Sequence, residues 1–216
     1  MNDFTEWGQE PDTAEDNSSV LLSIGDMMSG LLMIFALLFI TVSLQLSQRG
    51  ETKRVVIGEV IGTLKSNNVN VEVNPENGDV SIRDSILFPV NSAELSPEGQ
   101  KFLQSFIPVY SNVIFSNPRY ANEITRVVIE GHTSSSGTYN ANLQLSLLRS
   151  FAVAQYIFSP EMEFTSKPEL SQKILVSGRG EIEARQDIDD PKDRKVTFRL
   201  QFRGDTLSNI SVEQAP

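Results

Sequence analysis

The sequence contains no cysteine and only one histidine, His132. Without cysteine there can be no disulfide, no thiol nucleophile and no cysteine-based zinc site, and a single histidine does not make a histidine-rich metal site. The absence of cysteine is compatible with both oxidising and reducing compartments. We predict a protein that holds no metal ion and no organic cofactor.

The sequence also lacks the G-x-S-x-G motif that presents the nucleophile in α/β hydrolases. The enzyme class that the chain could still offer is a serine hydrolase that uses Ser134–Ser136 with His132. However, a histidine two residues before a serine, at the end of one strand, does not have the geometry of a catalytic triad. We therefore predict that the protein is not an enzyme.

Basic residues are scarce, since 18 Lys and Arg stand against 28 Asp and Glu, which gives a formal net charge of -10. Binding to nucleic-acid phosphates depends on clustered Lys and Arg, so this composition argues against DNA or RNA as a direct partner. The acidic excess is concentrated at one end, because residues 1–26 carry seven acids and no Lys or Arg. We predict an acidic tail over residues 1–19.

The segment Met27–Ser47 contains no charged residue, and its apolar character extends upstream to Val20. About 20 helical residues at 1.5 Å each match a hydrocarbon layer of roughly 30 Å. The preceding segment is acidic and offers no well-placed cleavage site, unlike a signal peptide. We therefore predict an uncleaved transmembrane helix over residues 20–47.

After this span, apolar residues at helical spacing predict a helix over Glu51–Lys65, within a linker or plug segment of residues 48–68. Two runs of alternating valine and isoleucine, separated by the turn residues Asn74–Gly78, predict a β-hairpin that opens the next domain. Further helices are predicted over Pro97–Phe115 and Tyr139–Phe158, and further strands over Ile124–Glu130, Ile174–Ser177 and Val196–Phe202.

This order of helices and strands predicts an α/β sandwich, in which a mixed sheet is covered by helices on one face. The domain is expected to span residues 69–203. The polar residues 204–216 are expected to form a flexible tail.

Four motifs in this domain occur in the order found in the OmpA/Pal/MotB C-terminal domain family, which they resemble over about residues 70–203. The family signature is G-H-T-D followed by N-x-x-L-S-x-x-R-A. The matching segments here are Ile86–Gly99, Ile129–Ser134 with Asn142–Ser150, Gly178–Glu181 and Asp193–Val196.

The resemblance implies that the domain binds the peptide stem of peptidoglycan. Diaminopimelate in that stem ends in a carboxylate and an ammonium, so its site needs a guanidinium fork and an acceptor. By position, Arg149 corresponds to the arginine that takes the carboxylate, and Arg194 to a second basic site. The groove around them would be lined by His132, Thr133, Ser134, Tyr139, Asn142 and Leu145.

Two of these residues also have other interpretations. His132 could equally be a structural hydrogen-bonding residue at the end of a strand. Ser134 stands where the family has an acid, and a hydroxyl does not neutralise an ammonium. The substitution implies weaker binding of diaminopimelate or a different position of the ligand.

Asp26 lies near the start of the apolar run. Asp at the centre of a membrane helix costs about 2.5–3.5 kcal/mol and less near an end, so such residues usually mark ion pathways or paired sites. Asp26 could instead cap the helix at the membrane surface, but Ser18 or Ser19 is the better-placed cap if Val20 begins the apolar helix. We therefore predict that Asp26 carries a proton.

An acidic tail, an Asp-bearing helix, a linker helix and an OmpA-like domain, in this order, are similar to MotB-type stator subunits of ion-driven rotary motors. These work as dimers inside a ring of a second, multi-span subunit. The stretch Asp26–Leu31, D-x-M-S-G-L, and the G-H-T-S-S variant look more like ZorB proteins of Zorya anti-phage systems. That resemblance implies a ZorA-like partner, a homodimer and protons as the driving ion, with sodium left open.

Two other functions stay open. A flagellar MotB-like stator subunit would share the same architecture. A passive tether of the OmpA or Pal kind would anchor the membrane to the cell wall without needing an acid in the membrane segment.

The orientation of the chain is predicted differently by two arguments. Arg49, Lys53 and Arg54 follow the span and no basic residue precedes it, so the positive-inside rule alone places the C-terminal domain in the cytoplasm. The family resemblance implies a periplasmic domain. We follow the resemblance and predict a single-pass bacterial inner-membrane protein with a cytoplasmic N-terminus.

Overall fold

The computed structural model describes residues 13–205. Residues 1–12 of the predicted acidic tail and residues 206–216 of the predicted flexible tail lie outside that range. The chain divides into two compact units, Met1–Gly50 and Glu51–Pro216.

Helix α1 runs over Thr13–Ser66, so it begins within the predicted tail and includes the predicted linker helix. Its segment Leu21–Gln45 is 25 residues long, has a mean hydropathy of 2.4 and is long and apolar enough to cross a membrane. The apolar side chains in this segment are exposed in the structure, with Phe39 at 74%. They would need lipid or a partner helix as surroundings.

Two hydroxyl groups of this segment are satisfied by the helix itself. Ser29 Oγ donates to the carbonyl oxygen of Gly25, and Thr41 Oγ1 donates to that of Leu37, four residues back in each case. Such bonds remove the cost of leaving a hydroxyl unpaired in an apolar medium.

The second unit contains a five-stranded mixed sheet in the order β1-β2-β5-β3-β4. Only β3 and β4 are parallel, and the other neighbouring strands are antiparallel. The strands are β1 Glu72–Val73, β2 Val80–Arg83, β3 Ile124–His132, β4 Ile174–Gly180 and β5 Lys195–Phe202. The helices are α2 Asp84–Leu87, α3 Pro97–Phe115, α4 Pro118–Glu123, α5 Tyr139–Ile157 and α6 Lys167–Lys173, with a 3-10 turn at Pro191–Asp193.

Side chains that alternate along the strands divide the sheet into two faces. On β5, Val196, Phe198, Leu200 and Phe202 are buried in the hydrophobic core. The rings of Phe106 and Tyr110 from α3 meet Phe198 edge to face, with centroids 5.2 and 5.6 Å away. The predicted α/β fold with a mixed sheet is confirmed.

Helix α5 packs on the same face as α3 and approaches the sheet very closely. A Cβ atom at Gly131 of β3 would lie 2.0 Å from the Ser146 carbonyl oxygen, and one at Gly178 of β4 would lie 2.7 Å from the Leu147 nitrogen. Ser146 Oγ accepts a hydrogen bond from the Gly180 N–H at 2.9 Å. These contacts fix α5 against the ends of β3 and β4.

The last part of α1 belongs to the core of the second unit. Val56, Ile57, Val60 and Leu64 are 0–3% exposed and lie in the same buried cluster as the sheet residues. The sequence predicts a domain that begins at residue 69, whereas in the structure this unit begins at Glu51. Helical periodicity indicates that one face is buried but not which surface covers it.

Lys53 also has a structural role in this unit. Its Nζ forms an ion pair with Asp205 at 3.1 Å and lies 5.0 Å from the centre of the Phe202 ring. In the sequence, Lys53 is one of the basic residues that follow the membrane span. Its contacts give a reason for a lysine at this position that is independent of membrane orientation.

Candidate functional site

A group of charged and polar side chains lies around Arg149 of α5 and Arg194, and we call it the arginine cluster. Its members are Asp84, Ser134, Arg149, Asp189 and Arg194. The Arg149 residue is only 2% exposed. Its Nε donates to the Ser92 carbonyl oxygen at 3.0 Å, and its Nη1 lies 3.1 Å from Asp84 Oδ2. The guanidinium carbon lies 5.4 Å from the centre of the Phe88 ring, which adds a cation–π contact.

Arg194, the residue just before β5, approaches the same carboxylate. Its Nε lies 3.8 Å from Asp84 Oδ2, and its Nη1 donates to Ser134 Oγ at 3.3 Å and to Asp189 Oδ1 at 3.2 Å. The backbone N–H of Asp84 in turn donates to the Arg194 carbonyl oxygen. Two guanidinium groups therefore converge on one carboxylate oxygen. The Arg194 side chain is 32% exposed, so it is the more accessible of the two arginines.

Burial and charge act against each other in this cluster. Burial raises the pKa of Asp84, while the charges of Arg149 and Arg194 oppose that effect. Burial also lowers the pKa of Arg149, against the effect of Asp84. Arginine nevertheless remains protonated in proteins. The cluster thus presents fixed positive charge beside a carboxylate, which suits a ligand that carries both an anionic and a cationic group.

His132 belongs to a different group of charges, on the sheet face opposite α3 and α5. Its Nε2 lies 3.3 Å from Glu130 Oε1, and its Nδ1 lies 3.7 Å from Glu183 Oε2. Arg199 and Arg179 also approach Glu130 Oε1, at 3.4 and 3.8 Å. We call this set the open-face network. The structure thus places His132 among carboxylates and arginines of this network.

The open-face network suits ion pairing better than metal binding. Glu130, His132 and Glu183 have the residue types of a metal site. However, the two ring nitrogens of His132 face different carboxylates, one from Glu130 and one from Glu183. The two guanidinium groups beside Glu130 would also repel a cation.

Burial and neighbouring charge shift the pKa values of two acids in opposite directions, Glu130 in this network and Asp79, which pairs with Arg199 at 3.1 Å. Burial would raise the pKa of Glu130, but contacts with His132, Arg199 and Arg179 outweigh it, and the pKa is lowered. Burial raises the pKa of Asp79, and Arg199 only partly offsets that effect. Glu130 is therefore an acid that the fold holds in its ionised form.

The remaining predicted groove residues lie directly after β3, at Thr133, and in the first two turns of α5. Asn142 is 6% exposed and donates to the Ser136 carbonyl oxygen and to the Glu181 carboxylate. Thr133 is buried, and its N–H donates to the Gly180 carbonyl oxygen. Tyr139 is 50% exposed and Leu145 is partly buried.

The structure therefore divides the predicted site residues into two sets. Ser134, Arg149 and Arg194 come together in the arginine cluster, whereas His132 and Asn142 have their main contacts elsewhere. Ser134 Oγ contacts Arg194, and both nitrogens of His132 face acids, so these two residues do not form a nucleophile–base pair. Ser134 and His132 therefore do not form the site of a serine hydrolase.

Two acids of the cluster, Asp84 and Asp189, are not predicted from the sequence. Asp84 is the first residue of α2, and Asp189 lies in the loop before the 3-10 turn. Neither acid belongs to a motif quoted for the family, and Asp84 is 65 positions from Arg149. The signal in the sequence was their position, because each acid lies a few residues before a matched segment, Asp84 before 86–99 and Asp189 before 193–196.

More than half of the chain matches a known protein family. A family model described as "OmpA family" matches residues 87–198, which is more than half of the chain and includes α3, α5, β3, β4 and Arg149. The chain belongs to the OmpA family. The arginine cluster lies within this OmpA-family domain, apart from Asp84 just before the matched range.

Two curated relatives share more of the chain than the OmpA-family domain. Both are described as Zorya protein ZorB from Escherichia coli. One, from the Crooks strain, is 28% identical over 220 residues and covers 89% of this chain and 91% of its own length. The other, from a second strain, is 28% identical over 203 residues and covers 85% of this chain and 80% of its own length.

A solved structure supports the same fold. The crystal structure of a MotB-like protein from Desulfovibrio vulgaris has a TM-score of 0.52 and 19% identity, and the match covers 73% of this chain and 96% of that one. This likeness concerns the fold alone. The predicted resemblance of this OmpA-family chain to MotB-like and ZorB proteins is confirmed.

Proposed function

We propose that this chain is the peptidoglycan-anchored stator subunit of a proton-driven rotary motor in the bacterial inner membrane, acting as the ZorB component of a Zorya anti-phage complex. In this proposal, the second unit binds peptidoglycan, and the helix segment Leu21–Gln45 couples proton movement to a partner subunit. The N-terminus is cytoplasmic and the second unit periplasmic.

The observation that carries the anchoring part is the arginine cluster in an OmpA-family domain. Arg149, within α5, has its guanidinium 3.1 Å from the Asp84 carboxylate that Arg194 also approaches, and by motif position it corresponds to the family arginine. A carboxylate at the end of a peptidoglycan stem would bind to this positive charge through charge-assisted hydrogen bonds. Of the predicted groove, Ser134 and Arg194 lie in the same cluster, and Tyr139 is exposed nearby in sequence.

The motor part rests on the membrane segment. Asp26 lies in an apolar helix, with Ser29 and Gly30 three and four residues later, on the same face of that helix. A Cβ atom at Gly30 would meet no atom within 4 Å, so packing within this chain does not require the glycine. Small residues beside an acid allow a partner helix to approach closely. A multi-span ZorA- or MotA-like subunit, arranged as a ring around a dimer of this chain, fits that surface.

The assignment to a Zorya rather than a flagellar complex is supported by the two ZorB relatives, whose matches cover 85–89% of this chain. Those matches extend well beyond the OmpA-family region. A passive cell-wall tether is the second candidate, supported by the same arginine cluster, but it gives no reason for an acid at position 26.

The anchoring part is tested by sedimentation of the full chain, in detergent, with purified sacculi. Arg149→Ala should reduce binding about tenfold to a hundredfold, because a hydrogen bond to a charged group contributes about 1.5–3 kcal/mol. Arg126→Ala is the matched control, since Arg126 is exposed on β3 and its loss changes the net charge equally. Equal sedimentation of Arg149→Ala and wild type would contradict the proposed site.

Arg149→Lys separates binding from stability. Lysine keeps the charge beside Asp84 but lacks the planar fork. We expect Arg149→Lys to melt close to wild type and still to bind sacculi less strongly. Full binding by Arg149→Lys would show that the fork is not used.

A further inference from the structure

The arginine cluster contains an acid in a place that the family signature does not indicate. The family places its acid directly after G-H-T, where this chain has Ser134. Ser134 Oγ contacts Arg194, whose Nε in turn lies 3.8 Å from the carboxylate of Asp84. A carboxylate is therefore present in the cluster, but it comes from the start of α2.

The position of Asp84 beside Arg149 matches the chemistry of an amino-acid end group. Such a group carries its ammonium and its carboxylate on the same carbon, so its site needs an acid and a guanidinium next to each other. Asp84 Oδ2 and Arg149 Nη1 are 3.1 Å apart. This contact is an ion pair without a hydrogen bond, because the buried Nη1 has no hydrogen-bond partner among residues 13–205.

Asp84 is also the more exposed member of this pair. Its side chain is 13% exposed, against 3% for Arg149. A ligand that binds beside Arg149 would therefore also contact Asp84. A ligand with a carboxylate alone would be repelled by Asp84, whereas one with an adjacent ammonium would satisfy both side chains.

We propose that Asp84 receives the ammonium of the diamino acid in the peptidoglycan stem and so takes the place of the acid that Ser134 replaces. The inference rests on the proposed function. It makes Asp84 the residue that selects a zwitterionic end group. Burial raises the pKa of Asp84, so a bound ammonium would offset part of the cost of keeping this carboxylate ionised.

Asp189 is the other acid of the cluster, and it serves as the matched control. Its side chain is 52% exposed and contacts Arg194 at 3.2 Å, and no contact between Asp189 and Arg149 exists in the described part of the chain. Asp189 therefore lacks the adjacent guanidinium that a zwitterion requires.

The test uses the full chain in detergent and two peptides, measured by calorimetry. One is a tripeptide stem that ends in meso-diaminopimelate, and the other is the same peptide with the side-chain amine acetylated. Acetylation should weaken binding to the wild type about tenfold to a hundredfold. Asp84→Asn should bind the unmodified peptide about as weakly as the wild type binds the acetylated peptide. It should also bind the two peptides with equal affinity.

Asp189→Asn is the control for the comparison of the two peptides. Asp189→Asn should keep the wild-type ratio between the two peptides. If Asp84→Asn still discriminates against the acetylated peptide, or if Asp189→Asn loses that discrimination, Asp84 is not the acceptor. If the wild type binds neither peptide nor sacculi, the proposed function itself fails, which is a different result.

A second measurement does not depend on the stability of Asp84→Asn. In carbon-13 NMR spectra of the wild type, the unmodified peptide should shift the carboxyl resonance of Asp84, assigned from its absence in Asp84→Glu. The acetylated peptide at equal occupancy should leave that resonance near its free position. Equal shifts with both peptides would overturn the proposal.

Discussion

Arg149 Nη1 and Asp84 Oδ2 lie 3.1 Å apart although their residues are 65 positions apart in the sequence. The pair joins α5 to the start of α2, and the Arg149 Nε bond to Ser92 holds the following loop to the same helix. Removing one partner of a buried pair leaves an uncompensated charge, at a cost of about 3–5 kcal/mol. A melting curve of Arg149→Ala is therefore needed to separate a loss of binding from a loss of folding.

The motor proposal predicts that Asp26→Asn abolishes function. Asparagine keeps the shape of the side chain but cannot exchange a proton, so phage protection should be lost while membrane insertion and assembly with the partner ring stay normal. Asp26→Glu should keep some activity. The measurement is phage plating, with a motility assay if the chain proves to belong to a flagellar system.

A passive tether predicts the opposite result for the same variant. Without a role in proton movement, Asp26→Asn would be silent or mildly stabilising, because it removes the cost of placing a charge in an apolar segment. Full activity of Asp26→Asn would therefore reject the motor.

The orientation is predicted to place the second unit in the periplasm. Alkaline phosphatase fused after Pro216 should be active, and green fluorescent protein fused at the same position should be dark. A fusion after Phe202 is less suitable, because it would remove Asp205, the ion-pair partner of Lys53. An inactive phosphatase with a bright fluorescent fusion would support the positive-inside rule and would contradict cell-wall binding.

Leu64→Ala is predicted to destabilise the second unit, although sequence places Leu64 in a linker. Leu64 is 1% exposed in the core, so its truncation should cost about 2–5 kcal/mol. Leu148→Ala, at a 46% exposed position on α5, is the matched control and should cost much less. Thermal melting of the full chain in detergent measures both. Equal, small effects would show that residues 51–66 do not contribute to this core.

Glu130→Gln is predicted to change the pH dependence of stability. The folded state lowers the pKa of Glu130, so the stability from its ionised form is complete above the unfolded pKa of about 4.3. That stability is lost as the pH falls through the lower folded pKa. At neutral pH, Glu130→Gln should be less stable than wild type by about 1–3 kcal/mol, and the difference should shrink below about pH 4.

Glu183→Gln is the control for this measurement, because Glu183 belongs to the same network but is 38% exposed and should contribute little. Asp79 and Asp84 contribute a pH dependence of stability with the opposite sign. Their pKa values are raised in the folded state, so the folded state binds protons more readily than the unfolded state. A difference between Glu130→Gln and wild type that stays constant from neutral to acid pH would contradict the role given to the ionised carboxylate.

The sequence by itself determined the elements of the second unit and the family. Alternation in β5, helical spacing in α3 and α5, and the turn residues Asn74–Gly78 are local patterns. The strands predicted from Ile124, Ile174 and Val196 and the helices predicted from Pro97 and Tyr139 are present within a few residues of their predicted ends, whereas the helix predicted over Glu51–Lys65 is the last part of the longer α1. Gly131 and Gly178 stand in family motifs because only glycine allows α5 to lie against the sheet there. The apolar run that could cross a membrane is equally local.

Only the tertiary structure decided which charges meet. The resemblance placed His132 and Arg149 in one groove, but strand alternation directs His132 to the sheet face opposite α5, where Glu130 and Glu183 face its ring. Arg149 instead meets Asp84, and the apolar face of residues 56–64 meets the core rather than solvent. Periodicity and motifs report on neighbours along the chain, whereas an ion pair or a packed face depends on elements that are distant in sequence, so the fold alone brings Asp84 to Arg149.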